Sequence, residues 1–160
     1  MEPLDVTIND YEDMVELFRS ESDRGAAVLA GSYVENFLGI YLKSRMADQS
    51  LSTKIFSPNG PLATFAQRID FAQAFGFLSE VLCEELHLIR KIRNHFAHHP
   101  KSASFAASPA REWVASLRSS TEVSFPDERK FKVDEPKVAF LISAGMFVVL
   151  ASTKMRDHSR

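Results

Sequence analysis

The ten residues KIRNHFAHHP, 91–100, hold three histidines, a lysine, an arginine and an asparagine ahead of a proline. No other stretch of the 160-residue chain is so dense in groups that move protons or bind anions. An imidazole exchanges a proton near neutral pH and so can act as general acid or base. A guanidinium keeps its charge and forks onto phosphate or carboxylate oxygens. The surrounding charge is one-sided. No acidic residue lies between Glu85 and Glu112, a window that holds Arg90, Lys91, Arg93, Lys101, Arg111 and four of the five histidines. The net charge of −2 argues against a broad nucleic-acid-binding surface. One local basic patch points to a small anionic ligand or a short stretch of single-stranded RNA, and away from duplex DNA.

These groups need elements to hold them, and the spacing of apolar residues predicts helices throughout. Tyr11, Met14, Val15 and Phe18 fall at i, i+3, i+4 and i+7 within residues 8–22, with Thr7 or Asn9 as candidate caps. Residues 22–46 are apolar around most of the helical circumference, which predicts a central helix, and Ala27, Ala30 and Gly31 permit a close neighbour. SPNGP (57–61) breaks the chain before a third helix over 62–77. Ser79 caps a fourth, striped by Leu82, Leu86, Ile89, Ile92 and Phe96. Pro100 disfavours helical geometry at His99, so this helix should end near Ala97–His98. Residues 100–108 read as a loop, with Ser108 as cap and Pro109 as first residue of a helix over 108–118. Residues 122–136 read as a hairpin or an extended crossing, and a last helix starts near Pro136.

The expectation is an all-α single domain over residues 1–160, with a core from about 8 to 155 and five or six helices. The apolar run 138–151 is shorter than the roughly 18–20 residues that span a bilayer and reads as a buried core helix. No membrane association is expected. The N-terminal MEPLDVTINDYEDM has no signal-peptide pattern, and the lone Cys83 fits a reducing compartment, so a cytoplasmic location is expected.

A helical wheel sorts the fourth helix. With Ile89 at the origin, Leu82, Leu86, Ile92 and Phe96 cluster in one arc, and Arg93, at about 40°, falls inside it. Glu85 falls inside it as well. An arginine aimed at a core is costly unless it is paired or lies at an interface, and Glu35, Asp70 and Glu85 are the candidate structural carboxylates, the first two from neighbouring helices. His98 lies about 140° away from Arg93 on an ideal helix. A site using both therefore needs a helix end that unwinds before Pro100, or a second copy of the chain meeting the first across a two-fold axis.

Other sites are weaker. His95, His98 and His99 have no carboxylate at metal-ligand spacing, and neither a metal nor a cofactor is expected. Cys83 and His87 at i, i+4 could form a nucleophile–base pair, but no Gly-rich oxyanion element is near, and a packed thiol is the better reading.

GPLATFAQRIDFAQAFGFLSEVLCEELHLIRKIRNHFAH (60–98) resembles the mannitol-repressor-like family of small bacterial helical proteins, in which a Gly-Pro-Leu turn precedes two such helices. RNHFAH also resembles the signature of HEPN domains, an Arg followed by four to six residues and a His, matched here by Arg93 and His98 with Asn94 after the Arg. The HEPN resemblance implies a helical bundle that dimerises through these helices and, in many members, a metal-independent ribonuclease of toxin–antitoxin or phage-defence systems. It assigns catalysis to Arg93, Asn94 and His98. Arg90, Lys91, His95 and His99 are then candidates for holding RNA phosphates. The mannitol-repressor resemblance implies transcriptional control instead, but the chain shows no helix-turn-helix with a basic recognition helix. Two readings follow. One is a homodimeric RNA endonuclease with an antitoxin as candidate partner. The other is a non-catalytic regulator acting through protein contacts, in which Arg93 is an interhelical anchor and His98 a helix-end group.

Overall fold

The computed structural model describes residues 11–118 and 135–158. Among them the chain is all-α, with no strand: α1 (Tyr11–Phe18), α2 (Asp23–Ser44), α3 (Ser52–Ile55), α4 (Phe65–Ala74), α5 (Glu80–His98), α6 (Ala110–Ala115) and α7 (Pro136–His158). The element that periodicity did not predict is the short Gln49–Ile55 segment, a 3-10 turn running into α3. A four-residue helix shows no period. The hairpin or crossing expected over 122–136, and the caps expected at Thr7 and Asn9, fall largely or wholly outside the described residues.

Boundaries follow local chemistry. Ser22 caps α2 by accepting from the Gly25 N–H at 3.0 Å. Thr64 and Gln67 form a reciprocal capping box that starts α4. That helix stops at Ala74, short of the expected Phe77, because Gly76 adopts φ +68 and the Phe77 N–H bonds back to the Ala72 carbonyl at 2.9 Å. Ser79 caps α5, which stays helical through His98, as Pro100 predicts. At α6 the expected cap fails. Pro109 holds the cap position, and the Ser108 hydroxyl donates to the Glu112 carboxylate at 2.6 Å instead.

α2 and α7 form the centre. α7 packs along α1 and α2, α5 lies against α2 and α4, and α6 closes over α5 and α7. α7 has 23 residues, more than the 138–151 run indicated, and by length and composition alone it could cross a bilayer. In the fold most of its apolar side chains are buried against its neighbours, including Val138, Phe140, Leu141, Ile142 and Val148, while Leu150 is exposed. Each such side chain taken from water contributes on the order of 1.5–3 kcal/mol.

The segment after α5 is a loop, as expected, but a tethered one. Phe105 is buried between Phe96 and Phe140, with ring centroids 4.6 and 5.4 Å away. Asp23, in the first turn of α2, accepts from the Phe105 N–H at 3.0 Å and the Ser104 hydroxyl at 3.2 Å, and pairs with Lys137 of α7 at 3.1 Å. At the other end of α2, Tyr41 donates to the Phe77 carbonyl at 3.0 Å. The start of α2 thus meets the segment after α5 and its last turns meet the segment before it, so the two helices run antiparallel.

Candidate functional site

Antiparallel packing brings the first half of α2 against the last half of α5, and Gly31 decides how closely. A Cβ on Gly31 would lie 2.5 Å from Arg93 Cγ and 2.7 Å from its Cβ, so the Arg93 stem fills the notch that the glycine leaves. The guanidinium emerges one turn further along α2, where Nη2 meets Glu35 Oε2 at 3.0 Å, and it sits 5.6 Å from the centre of the Phe65 ring of α4. The two side chains of the pair are only 20% and 22% exposed. Arg93 Nε is buried with no hydrogen-bond acceptor.

Of the three carboxylates singled out, Glu35 is the one that reaches Arg93. Asp70 points elsewhere: its side chain is 71% exposed and faces His87 Nε2 at 3.2 Å. Glu85 is buried in α5 and accepts from the Arg118 backbone N–H, which ties the chain beyond α6 back to α5.

The polar residues at the end of α5 divide into two rows, each at i, i+4, i+8. Arg90, Asn94 and His98 form one, beside Arg93. Arg90 and Asn94 are half-buried and His98 is exposed, and none of the three has a protein hydrogen-bond or ion-pair partner among the described residues. Arg90 Nε is buried without an acceptor. Lys91, His95 and His99 form the other row, turned towards α6. Lys91 Nζ stands 4.3 Å from the Trp113 ring centroid, and the His95 ring meets that ring edge-on at 5.5 Å. His99 Nδ1 bonds the His95 carbonyl at 2.9 Å, which requires the proton on Nδ1. Burial, and then the neighbouring His99, hold His95 below its ordinary pKa of 6.5. The four candidate phosphate-holding residues therefore do not share one face. Arg90 stands with Arg93 and His98, and the other three are engaged with Trp113 or with one another.

The helix does not unwind before Pro100, so Arg93 and His98 diverge within one chain. Cys83 is fully buried, with its thiol 3.9 Å from the Ile69 carbonyl, and burial pushes its pKa up to about 11. His87 is engaged with Asp70, so no Cys–His nucleophile pair forms. No group of three or more potential metal ligands occurs among the described residues.

Motif reading passed over a second arginine. Phe65, Arg68, Ile69 and Ala72 are buried together at i, i+3, i+4 and i+7 along α4, so Arg68 occupies an apolar slot just as Arg93 does. Applying the same wheel to α4 would have found it. Its Nε donates to the Leu62 carbonyl at 3.0 Å and its Nη1 to the Glu35 carbonyl at 3.1 Å. Burial lowers its pKa, an effect the Glu35 charge opposes. Glu35 thus holds both arginines, one through its carboxylate and one through its backbone. Arg68 closes the floor of a cleft of about 490 Å³ between α2, α3 with the turn that follows it, and α4.

No protein-family model matches the chain, and no curated protein or solved structure matches it either, so the mannitol-repressor-like and HEPN resemblances rest on sequence motifs, chiefly those within residues 60–98.

Proposed function

We propose that the chain acts as a homodimer whose two α5 helices meet along the Arg90–Asn94–His98 row and form a metal-independent RNA endonuclease site. The observation that carries this reading is a set of polar groups set out without protein partners. Arg93 meets Glu35 through Nη2 and keeps Nε without an acceptor on the same guanidinium, beside three residues with no partner among the described residues. Because Arg93 and His98 diverge on one helix, each cleft would combine groups from both copies. With His98 of each copy in one cleft, one would take the ribose 2′-OH proton as the 2′-oxygen attacks phosphorus, and the other, protonated, would give its proton to the 5′-oxygen as that bond breaks. The products are a 2′,3′-cyclic phosphate and a 5′-hydroxyl. Arg93 would stabilise the charge that builds on the phosphoryl oxygens, and Asn94 would orient the phosphate. An internal nucleophile requires no metal-activated water. An antitoxin or other regulatory protein is the partner class this reading implies, in the cytoplasm.

The same ion pair favours a second reading. An Arg93–Glu35 contact of 3.0 Å on a glycine notch is what an interhelical anchor requires, and His98 stands in solvent away from it. On this reading the bundle is a non-catalytic regulator that works through protein contacts.

One experiment separates the two. Purified protein is incubated with mixed single-stranded RNA in EDTA beside His98→Ala, a change at an exposed position that leaves the bundle intact. Cleavage that falls by about 100-fold or more in the variant supports the nuclease, the size expected for a lost general acid or base. A wild type that leaves RNA intact, or a variant as active as wild type, supports the regulator.

A further inference from the structure

The cleft lined by Arg68 shares Glu35 with the Arg93 ion pair, but Arg90, Arg93, Asn94 and His98 are not in its lining. Its lining carries two cations that converge on one ring. The Arg68 guanidinium carbon lies 5.3 Å and the Lys43 ammonium 5.2 Å from the Phe56 centroid. Arg68 is 9% exposed, and its Nε and Nη1 are spent on the Leu62 and Glu35 carbonyls. These two bonds fix the plane of the guanidinium. Nη2 has no acceptor among the described residues and keeps some contact with solvent, on a residue that lines the cleft. The Lys43 ammonium likewise has no carboxylate partner among the described residues.

The charges do not cancel within the cleft. Glu35 is the one acidic residue in the lining, and its carboxylate is neutralised by Arg93 at 3.0 Å. That leaves Arg68 and Lys43 as a surplus of two positive charges at the edge of a low-dielectric wall. The lining also holds Ser32, Asn36 and Thr53, whose side chains make no hydrogen bond to the rest of the described protein. A volume of about 490 Å³ is that of a site for a small metabolite.

We propose that this cleft binds a small phosphate monoester, with the phosphate held by Arg68 Nη2 and Lys43 Nζ and the hydroxyl-bearing remainder by Ser32, Asn36 and Thr53. A monoester carries a charge of about −1.5 to −2 at neutral pH, which matches the two unbalanced cations. A guanidinium whose plane is already fixed by two hydrogen bonds loses little freedom when Nη2 donates to such an oxyanion.

The test is a calorimetric titration of the full chain with glycerol 3-phosphate at constant ionic strength, with glycerol as the neutral control. One saturable site per chain for glycerol 3-phosphate and none for glycerol are expected. Lys43→Gln removes a half-buried cation that pairs with no carboxylate, and is expected to weaken binding about tenfold. Thr53→Glu places a negative charge at an exposed position of the lining and is expected to abolish it. Lys54→Gln, which removes an exposed cation next to the cleft but outside its lining, is expected to bind as wild type does. His98→Ala is also expected to bind normally, so the outcome is independent of any ribonuclease activity. No saturable binding by wild type overturns the proposal, as does a loss in Lys54→Gln equal to that in Lys43→Gln, which would mark diffuse surface attraction.

Discussion

The stem of Arg93 occupies the space in which a side chain at residue 31 would sit: a Cβ on Gly31 would lie 2.5 Å from Arg93 Cγ. Two helices approach closely here because one residue has no side chain, and that approach lets an arginine cross the seam to a carboxylate.

Gly31→Ala should therefore force Arg93 out of its notch despite the general preference of helices for alanine. Helix propensity alone would stabilise the variant by up to about 1 kcal/mol, whereas overpacking at a helix contact costs roughly 1–3 kcal/mol. Urea denaturation should show a net loss. A variant as stable as wild type would mean that the arginine moves aside at no cost.

Glu35 and Arg93 should be coupled energetically. Glu35→Gln keeps the backbone carbonyl that binds Arg68 and removes only the carboxylate charge, so the fold should survive a loss of about 1–3 kcal/mol. In a double-mutant cycle with Arg93→Met the second change should cost much less once the first is made. Additive losses would show that the 3.0 Å contact contributes nothing to stability.

Asp23 sets an acid limit on stability. Burial alone would raise its pKa, but the Phe105 N–H, the Lys137 ammonium and the Ser104 hydroxyl outweigh it and hold the group below its ordinary value of 3.8. With the folded pKa depressed, its contribution is present in full above the unfolded value and is lost as pH falls through the folded one. Asp23→Asn should cost about 1 kcal/mol at pH 7, and the difference from wild type should shrink below about pH 4. Denaturation curves at pH 7 and pH 3 measure it. An equal gap at both would place the effect in packing and not in charge.

Cys83 should be inert in the folded protein. It is fully buried with a pKa near 11, so reaction with a thiol-specific disulfide reagent should proceed only through unfolding. The reaction rate should rise with urea in step with the unfolded fraction. Rapid labelling of the native protein would contradict the packing described.

How much of this was legible beforehand depended on how local the cause was. Ser79, Pro100 and the apolar stripe of α5 act within a few residues of where they stand, and the predicted helix ends where it should. Gly76 also acts locally, through its positive φ, but glycine has other uses in a helix, and the end of α4 was placed three residues late. The hydroxyl of Ser108 had a choice between backbone and side chain, and it took Glu112.

By itself the sequence determined the all-α class, most helix spans, and that Arg93 points into an apolar arc where it needs a partner or an interface, because 3.6-residue periodicity is a property of the backbone. Only the tertiary structure decided that the carboxylate is Glu35 and not Asp70, that Lys91 and His95 turn to Trp113, and that Arg68 and Lys43 converge on Phe56. Those outcomes depend on the register and azimuth at which separate helices pack. A shift of one residue rotates a helix face by about 100°, and no single helix carries the information that fixes it.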